Sequence, residues 1–251
     1  MEMLSEVSVD LAILSDVISR DPILSATIMK YANSPMYRRI IEIKSVSKAV
    51  NMLGLKNVAT TILIATMRSF NNPATKASES IWEHCMGVSA LAKLIARKTE
   101  RQLQDRVEFL ATMHDLSAMV MASNHPDYDE VYQTALDNHT ALDLAEKETF
   151  GYSHDDISTV ALAKLKLPDE LTDLLNYFHQ RPAIASLNTD DDKTLAILSL
   201  AHQLESDVYG DTRVTETMPE SLETLISLLK LSEDDIEDIK EDFEAILNQG
   251  F

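Results

Sequence analysis

The sequence predicts an all-helical protein. Glycine occurs only 5 times in 251 residues, while leucine, alanine, methionine, glutamate and lysine, which favour helices, are plentiful. Apolar residues recur at three- and four-residue intervals, as they do along the buried face of a helix, and no segment has the strict alternation of a half-buried strand. These observations favour a multi-helix bundle.

The first helices are recognised by their ends. Asp21-Pro22 is typical of an N-cap followed by proline at the first helical position. Ser45 begins a second helix, and Gly54 ends it, because glycine readily adopts the left-handed conformation found just after a helix. A third helix is expected over about 56–70.

Capping pairs and apolar stripes predict the later helices. Four residues that can cap a helix, Asp127, Thr140, Ser153 and Ser232, are each followed three positions later by an acidic residue. The remaining helices are expected over about 80–100, 104–114, 128 onward, 141–151, 154 onward, 168–179, 191–209, 219–230 and 233–249.

The charge of the chain argues against nucleic acid as a partner. The net charge is −19, and residues 186–251 alone contain 17 acidic and 4 basic side chains. Such a surface repels nucleic acid and anionic lipid. Residues 51–58 resemble a helix-turn-helix in outline, but the following helix is apolar nearly all round, so we expect it to be buried rather than placed in a DNA groove.

Other features favour a cytoplasmic protein that does not interact with a membrane. No run of about 18 apolar residues occurs. The first residues lack the basic and apolar regions of a secretory signal. Cys85 is the single cysteine, so no disulfide can form within the chain.

Two histidines and an aspartate are the candidate metal ligands. His84 shares an apolar helical stripe with Val88 and Leu91, so we expect it to face the interior. His114 has the same kind of spacing on another helix, and Asp115 follows it directly. Imidazole nitrogens and a carboxylate oxygen that converge in a core can bind a divalent metal ion. An inward histidine is more often a core residue bonded to a backbone carbonyl, so both interpretations stay open.

Three further histidines are candidate pocket residues. His154 begins a helix, where a position on the surface or in the N-terminal turn is the ordinary interpretation. His179 ends a helix, where a cationic imidazole suits the negative end of the helix dipole. His202 lies in the middle of a later helix and is ambiguous. No residue is predicted to be catalytic, because the sequence has no phosphate-binding loop, serine nucleophile elbow or paired-cysteine zinc motif.

The order of several motifs resembles a known family. Asp21-Pro22-Ile23-Leu24, followed by Asn33-Ser34, is similar to the first signature of HDOD domains (HD-related output domains), which occur in bacterial signalling proteins. The other similar segments are 46–54, Trp82-Glu83-His84, Met113-His114-Asp115-Leu116, 148–154 and 167–179. The resemblance covers about residues 4–181, and its ordered set of motifs is specific although no single one is. The proline-rich opening of the family is absent.

The resemblance implies the helical HD fold and a partly lost metal site. In HD phosphohydrolases the ligands are a histidine, an adjacent His-Asp pair and a later aspartate. The first three correspond here to His84, His114 and Asp115, whereas the later aspartate falls near His202.

Further departures concern the groups that surround the ligands. Ser117 and Ala118 replace a glycine and a lysine that follow the His-Asp pair in related phosphodiesterases, and Gln180 replaces the second histidine of a closing pair. Losing one such electrostatic stabiliser typically costs a factor of about 100 or more in rate.

The resemblance also implies a domain organisation and a function. Residues 1–185 correspond to the HDOD domain, with an N-terminal helical subdomain at about 1–72 and an HD-like core at about 78–182. Residues 186–251 are expected to form an acidic helical extension packed on the core. Members of the family are generally regarded as non-catalytic, so we expect a regulatory module that binds a signalling protein partner and needs no cofactor. The alternatives are a metal-dependent phosphohydrolase or cyclic-nucleotide phosphodiesterase, with a divalent metal, and a domain that senses a nucleotide in the vestigial pocket.

Overall fold

The computed structural model describes residues 10–34, 37, 43–70, 75–164, 169–180, 183–209 and 219–248. Within these residues the regular structure consists of thirteen α-helices and one short 3₁₀ turn, without a strand. The predicted all-helical fold class is therefore confirmed. Residues 167–168 of the last family-like segment lie outside the described part of the chain. The chain divides into two compact units, Met1–Thr66 with Gln249–Phe251, and Met67–Asn248.

The first unit holds a small helical core. It contains α1 (Leu11–Ser19), α2 (Pro22–Ala32) and most of α3 (Val46–Phe70). Asp21 caps α2 as predicted, because its carboxylate accepts hydrogen bonds from the backbone N–H groups of the first turn. The apolar faces of the three helices meet in a buried cluster of Ile18, Ile28, Ala32, Ala49, Val50, Leu53 and Val58.

Gly54 divides α3 into two helical segments. Its φ of 74° and ψ of 169° are not helical, and residues other than glycine rarely adopt that φ. The sequence predicts this break at the same residue. A helix then resumes, as expected, and continues to Phe70.

The second unit is built around α4 (Lys76–Thr99). Every residue of α4 from Cys85 to Ala96 is buried, because α5, α6, α7, α11 and α13 all contact it. The helix begins earlier than the predicted start at residue 80, since Thr75 caps it. The other helices of this unit are α5 (Gln104–Met113), α6 (Leu116–Asn124), α7 (Tyr128–Asp137), α8 (Leu142–Phe150), α9 (His154–Lys164), α10 (Asp169–His179), α11 (Asp190–Tyr209), α12 (Leu222–Leu228) and α13 (Glu233–Leu247).

The acidic C-terminal segment contributes two helices that contact α4. Both α11 and α13 pack on it, and α12 packs on α11. Ile239 and Phe243 of α13 are buried, whereas most of the carboxylates of this helix are exposed. Hydrophobic burial therefore holds a strongly charged helix in place. The domain limits inferred from the sequence stay a prediction.

The capping predictions are partly right. Ser153 and Ser232 each form a reciprocal pair with the aspartate three residues later. Asp127 precedes α7 without a side-chain capping bond, and Ala141, not Thr140, precedes α8. No sequence pattern predicted α1 or α6. Of the helices in the described residues, none combines the length and the apolar character needed to cross a bilayer.

Candidate metal centre

His84, His114 and Asp115 meet in the interior of the second unit. His84 projects from α4, while His114 and Asp115 form the junction between α5 and α6. The distances are 3.2 Å between the two Nε2 atoms, 3.3 Å from His114 Nε2 to Asp115 Oδ2 and 3.6 Å from His84 Nε2 to the same oxygen. His84 is 30 residues from His114 in the sequence, and yet the two histidines and the carboxylate of Asp115 form one triangle of ligand atoms.

Hydrogen bonds orient both imidazoles toward this triangle. The Nδ1 of His114 lies 2.7 Å from the carbonyl oxygen of Ala111, and the Nδ1 of His84 lies 2.8 Å from Glu205 Oε2. We assign an N–H to both Nδ1 atoms, since each faces an oxygen acceptor. Burial lowers the pKa of His114, opposed mainly by the charge of Asp115, and this favours the neutral imidazole. Its Nε2 then carries a lone pair that faces the other two ligand atoms.

The separations match the ligand spacing around one metal ion. With metal–nitrogen bonds of about 2.0–2.1 Å in a tetrahedral site, two ligand atoms lie about 3.3 Å apart. The observed edges are 3.2, 3.3 and 3.6 Å. Because lone pairs at this distance repel one another, the arrangement calls for a cation between them, either a metal ion or a proton on one imidazole.

His202, on α11, lies next to His84 and His114. Its ring centroid lies 4.8 Å from that of His84 and 5.7 Å from that of His114. A ligand nitrogen from each of these three histidines lies within 4.8 Å of the others. The position that the family resemblance assigns to an aspartate therefore places an imidazole next to the triangle.

A second group of ligand atoms lies on the other side of Asp115. One ligand atom from each of Asp115, His154 and His179 lies within 4.8 Å of the others. His154 lies in the N-terminal turn of α9, as one interpretation of the sequence had it, but it is not on the surface, because only 1% of the residue is exposed. Glu146 Oε2 accepts hydrogen bonds from the backbone N of His154 at 2.7 Å and from its Nδ1 at 2.6 Å. This carboxylate fixes both the start of α9 and the orientation of the ring.

His179 is held as a donor at both nitrogens. Its Nε2 donates to the carbonyl oxygen of His114 at 2.6 Å, and its Nδ1 lies 2.5 Å from Asp155 Oδ1. Burial alone would lower the pKa of His179, but the hydrogen bond and charge of Asp155, with the charge of Asp115, outweigh it and raise the pKa. The cationic state predicted for a histidine at a helix end agrees with this direction, although its main cause is a carboxylate.

Four residues of the site escaped the sequence analysis. Glu205 orients His84 from 121 residues away, and Glu146 and Asp155 orient His154 and His179. Cys85 Sγ lies within 4.8 Å of ligand atoms of His114 and Asp115, and no motif marked it. Glu205 follows His202 by three residues on one helix, and this spacing was the available indication.

Gly87 makes the Glu205 contact sterically feasible. A Cβ at this position of α4 would lie 3.0 Å from Cγ and 3.2 Å from Oε1 of Glu205, and 3.5 Å from Cζ of Phe243. The close approach of α4, α11 and α13 thus depends on a residue without a side chain.

The family follows from the sequence comparison. Residues 1–181 match the family of HDOD domains. This chain is a member of the HDOD domain family. No curated protein gives a significant match to it.

Solved structures of similar fold come from several bacteria. An HDOD domain protein of unknown function from Geobacter sulfurreducens is 21% identical, with a TM-score of 0.65 over 97% of this chain and 83% of that chain. A proposed signal transduction protein from Marinobacter aquaeolei is 19% identical, with a TM-score of 0.67 over 96% of this chain and 53% of the other, so our HDOD chain spans about half its length. A proposed metal-dependent phosphohydrolase from Shewanella amazonensis is 15% identical, with a TM-score of 0.67 and coverages of 96% and 85%. At these identities the likeness shows the fold alone.

The three positions at which the family resemblance implies a replaced group differ in their surroundings. Ser117 and Ala118, at the positions of the glycine and lysine, are both buried. Gln180, at the position of the second closing histidine, is exposed.

Proposed function

We propose that this HDOD chain is a regulatory signalling module that acts through contacts with a protein partner and does not hydrolyse phosphate esters. The observation that carries this proposal is the enclosure of the candidate metal centre. The exposed side-chain fractions of His84, His114 and Asp115 are 12%, 0% and 10%. A phosphate ester must reach the metal and its water to be hydrolysed. Among the described residues, the ligand side chains are at most 12% exposed, and this limited exposure supports restricted access of an ester to the ligand atoms.

The electrostatics of the site support the same proposal. Charge that develops on a phosphoryl group during hydrolysis is normally stabilised by a cationic side chain, a metal ion or oriented N–H groups. Ala118 occupies the position of the lysine in related phosphodiesterases, and it is buried without a polar group to offer. The carboxylates of Asp115, Glu205 and Glu146 would instead repel a phosphate anion that approached the cluster.

The same residues fit a divalent metal ion. His84, His114 and Asp115 would hold it, and His202, which groups with the two histidines, would be the candidate for a fourth ligand. Histidine nitrogens with one carboxylate suit zinc, iron or manganese better than calcium. When bound, such an ion would lower the pKa of a coordinated water and polarise a phosphoryl oxygen. In the enclosed site we propose a structural role, in which the ligands tie α4, the α5–α6 junction and α11 together.

Metal content and turnover measured together test this proposal. The full chain is purified without chelator, loaded with zinc, manganese or iron, and assayed against nucleotides and cyclic dinucleotides. We expect bound metal without hydrolysis above the level of His114→Gln. His125→Gln is the matched control, because His125 lies outside the cluster and contacts Tyr152 instead. Hydrolysis that survives in His125→Gln and is lost in His114→Gln would overturn the regulatory proposal.

Recovery of a partner tests the second half of the proposal. The tagged chain is crosslinked in its own cells and the attached proteins are identified. We expect one signalling protein to be enriched equally with the native chain and with His125→Gln. Absence of any reproducible partner, combined with turnover in the loaded protein, would contradict a regulatory function.

A metal-dependent phosphohydrolase is the second candidate. It is favoured by the two groups of ligand atoms that share Asp115, since a carboxylate between two sets of histidines can bridge two metal ions. It requires the enclosed site to open. The turnover assay above distinguishes the two functions, because only this candidate predicts metal-dependent product formation.

A further inference from the structure

A groove of about 220 Å³ lies between the C-terminal part of α4 and the surface of α13. Leu94 and Ile239, which are buried, form its apolar floor, and the charged residues at its rim are Arg97, Lys98, Arg101 and Asp242. The groove is distinct from the candidate metal centre, whose residue on the same helix is His84. An inference from it therefore does not depend on the proposed function.

Two arginines of the groove have no counter-ion among the described residues. The other two arginines with described side chains, Arg20 and Arg106, each form an ion pair with a carboxylate. Arg97 and Arg101 form none, although they belong to a chain of net charge −19 in which carboxylates are abundant. Their charges are thus available to a ligand.

Lys98 differs from Arg97 and Arg101 because its positive charge is already paired with carboxylates of the protein. Its ammonium group lies 3.0 Å from Asp235 Oδ1 and 2.8 Å from Asp238 Oδ2. Hydrogen bonds to these two carboxylates raise its pKa. The lysine links α13 to α4, so Arg97 and Arg101 are the lining cations without an ion pair among the described residues.

We propose that this groove binds a phosphate monoester. Guanidinium groups present paired N–H donors that match two oxygens of a phosphate, and two of them balance the charge of a dianion. The C-terminus of α4 contributes roughly half a negative charge, which two full positive charges exceed. Asp242 stands at the rim as an acceptor for a hydroxyl group of the esterified part.

The size and surroundings of the groove favour this ligand over larger anions. Its volume is below the roughly 300–1,000 Å³ of pockets that enclose drug-sized molecules. A nucleic acid or a long acidic segment would meet the carboxylates of α13 beyond the rim, and these would repel it. A single phosphate group with a small esterified part can pair with the two arginines and meets fewer of these carboxylates, mainly Asp242.

Calorimetric titration of the full chain tests this site. One arm uses glycerol 3-phosphate, and the other uses a short phosphoserine peptide beside its unphosphorylated form, so that a free metabolite and a phosphorylated protein are distinguished. We expect saturable binding of at least one phosphorylated probe. Arg97→Gln and Arg101→Gln should each weaken it about tenfold, since each removes a charge-assisted hydrogen bond.

Arg20→Gln is the matched control for these variants. It makes the same chemical change at an exposed arginine outside the groove, so it should leave the affinity unchanged. Thermal unfolding checks that each variant remains folded. The proposal is overturned if neither phosphorylated probe binds, if the unphosphorylated peptide binds equally well, or if Arg20→Gln weakens binding as much as the groove variants do.

Discussion

Glu205→Gln separates the positioning function of this carboxylate from its contribution to packing. Glutamine has nearly the same shape as glutamate, and its carbonyl oxygen can still accept the hydrogen bond from His84 Nδ1, which is 2.8 Å long in the native chain. The substitution therefore removes the charge and leaves Gly87, against which Glu205 packs, undisturbed.

The expected loss of metal affinity follows from the change in that hydrogen bond. A hydrogen bond to a charged group contributes about 1.5–3 kcal/mol, and a neutral one about 0.5–1.5 kcal/mol. The midpoints of the two ranges differ by about 1.25 kcal/mol, which corresponds to an affinity for zinc or manganese that is weaker by a factor of about eight. This agrees with the roughly 10- to 100-fold losses found when an outer partner of a metal-bound histidine is removed.

The free energy of unfolding of the metal-free protein should rise in Glu205→Gln or stay the same, although the metal affinity falls. Only 1% of the Glu205 side chain is exposed, and burying a neutral amide costs less than burying a carboxylate. The assay is competition with a chromophoric chelator for affinity, and urea unfolding with excess chelator for stability. Glu237→Gln, at an exposed position of α13, controls for the change in net charge. Equal metal affinity in Glu205→Gln and the native chain would refute the reasoning, as would an equal fall in the control.

Three further predictions concern the same unit. Gly87→Ala should destabilise the chain by about 1–3 kcal/mol in urea unfolding, because its Cβ would meet a neighbouring Cγ at 3.0 Å; unchanged stability would contradict that contact. Lys93→Met should lower the free energy of unfolding by about 3–5 kcal/mol, because it leaves the buried Glu108 without the ammonium group that now lies 2.6 Å away. Adding Glu108→Leu should restore most of that loss, and a double variant as unstable as the single one would contradict this prediction. Because the pKa of His179 is raised in the folded state, its contribution to stability should be complete below about pH 6.5 and lost as the pH rises through the folded-state pKa. Asp155→Asn should lower that pKa in an NMR titration and flatten the change of stability with pH above about 6.5. An unaltered titration of His179 in this variant would refute the assignment.

Local sequence patterns determined much of this fold because the decisive interactions are short in range. Asp21 and Ser232 cap helices through bonds to residues two or three positions away, and Gly54 needs only its own φ to break α3. The inward direction of His84 follows from apolar residues on the same helical stripe. These features could be inferred without knowledge of which helices are neighbours.

The rest of the candidate site depends on contacts between distant segments. Glu205 reaches His84 only because α11 packs on α4, and no local pattern specifies that pairing. The surface interpretation of His154 failed for a related reason, since its burial depends on Glu146 in the preceding helix and on the packing of α6 against α9. An ordinary N-terminal-turn histidine and a buried one have the same local sequence.

The burial of α4 on all sides has a mechanical consequence. His84 and Arg97 are 13 residues apart on this helix, which places their backbones about 20 Å from each other. A close-packed helix cannot bend or rotate without repacking every neighbour, so it behaves as a stiff rod. We therefore expect a displacement imposed at one end of α4 to be felt at the other end.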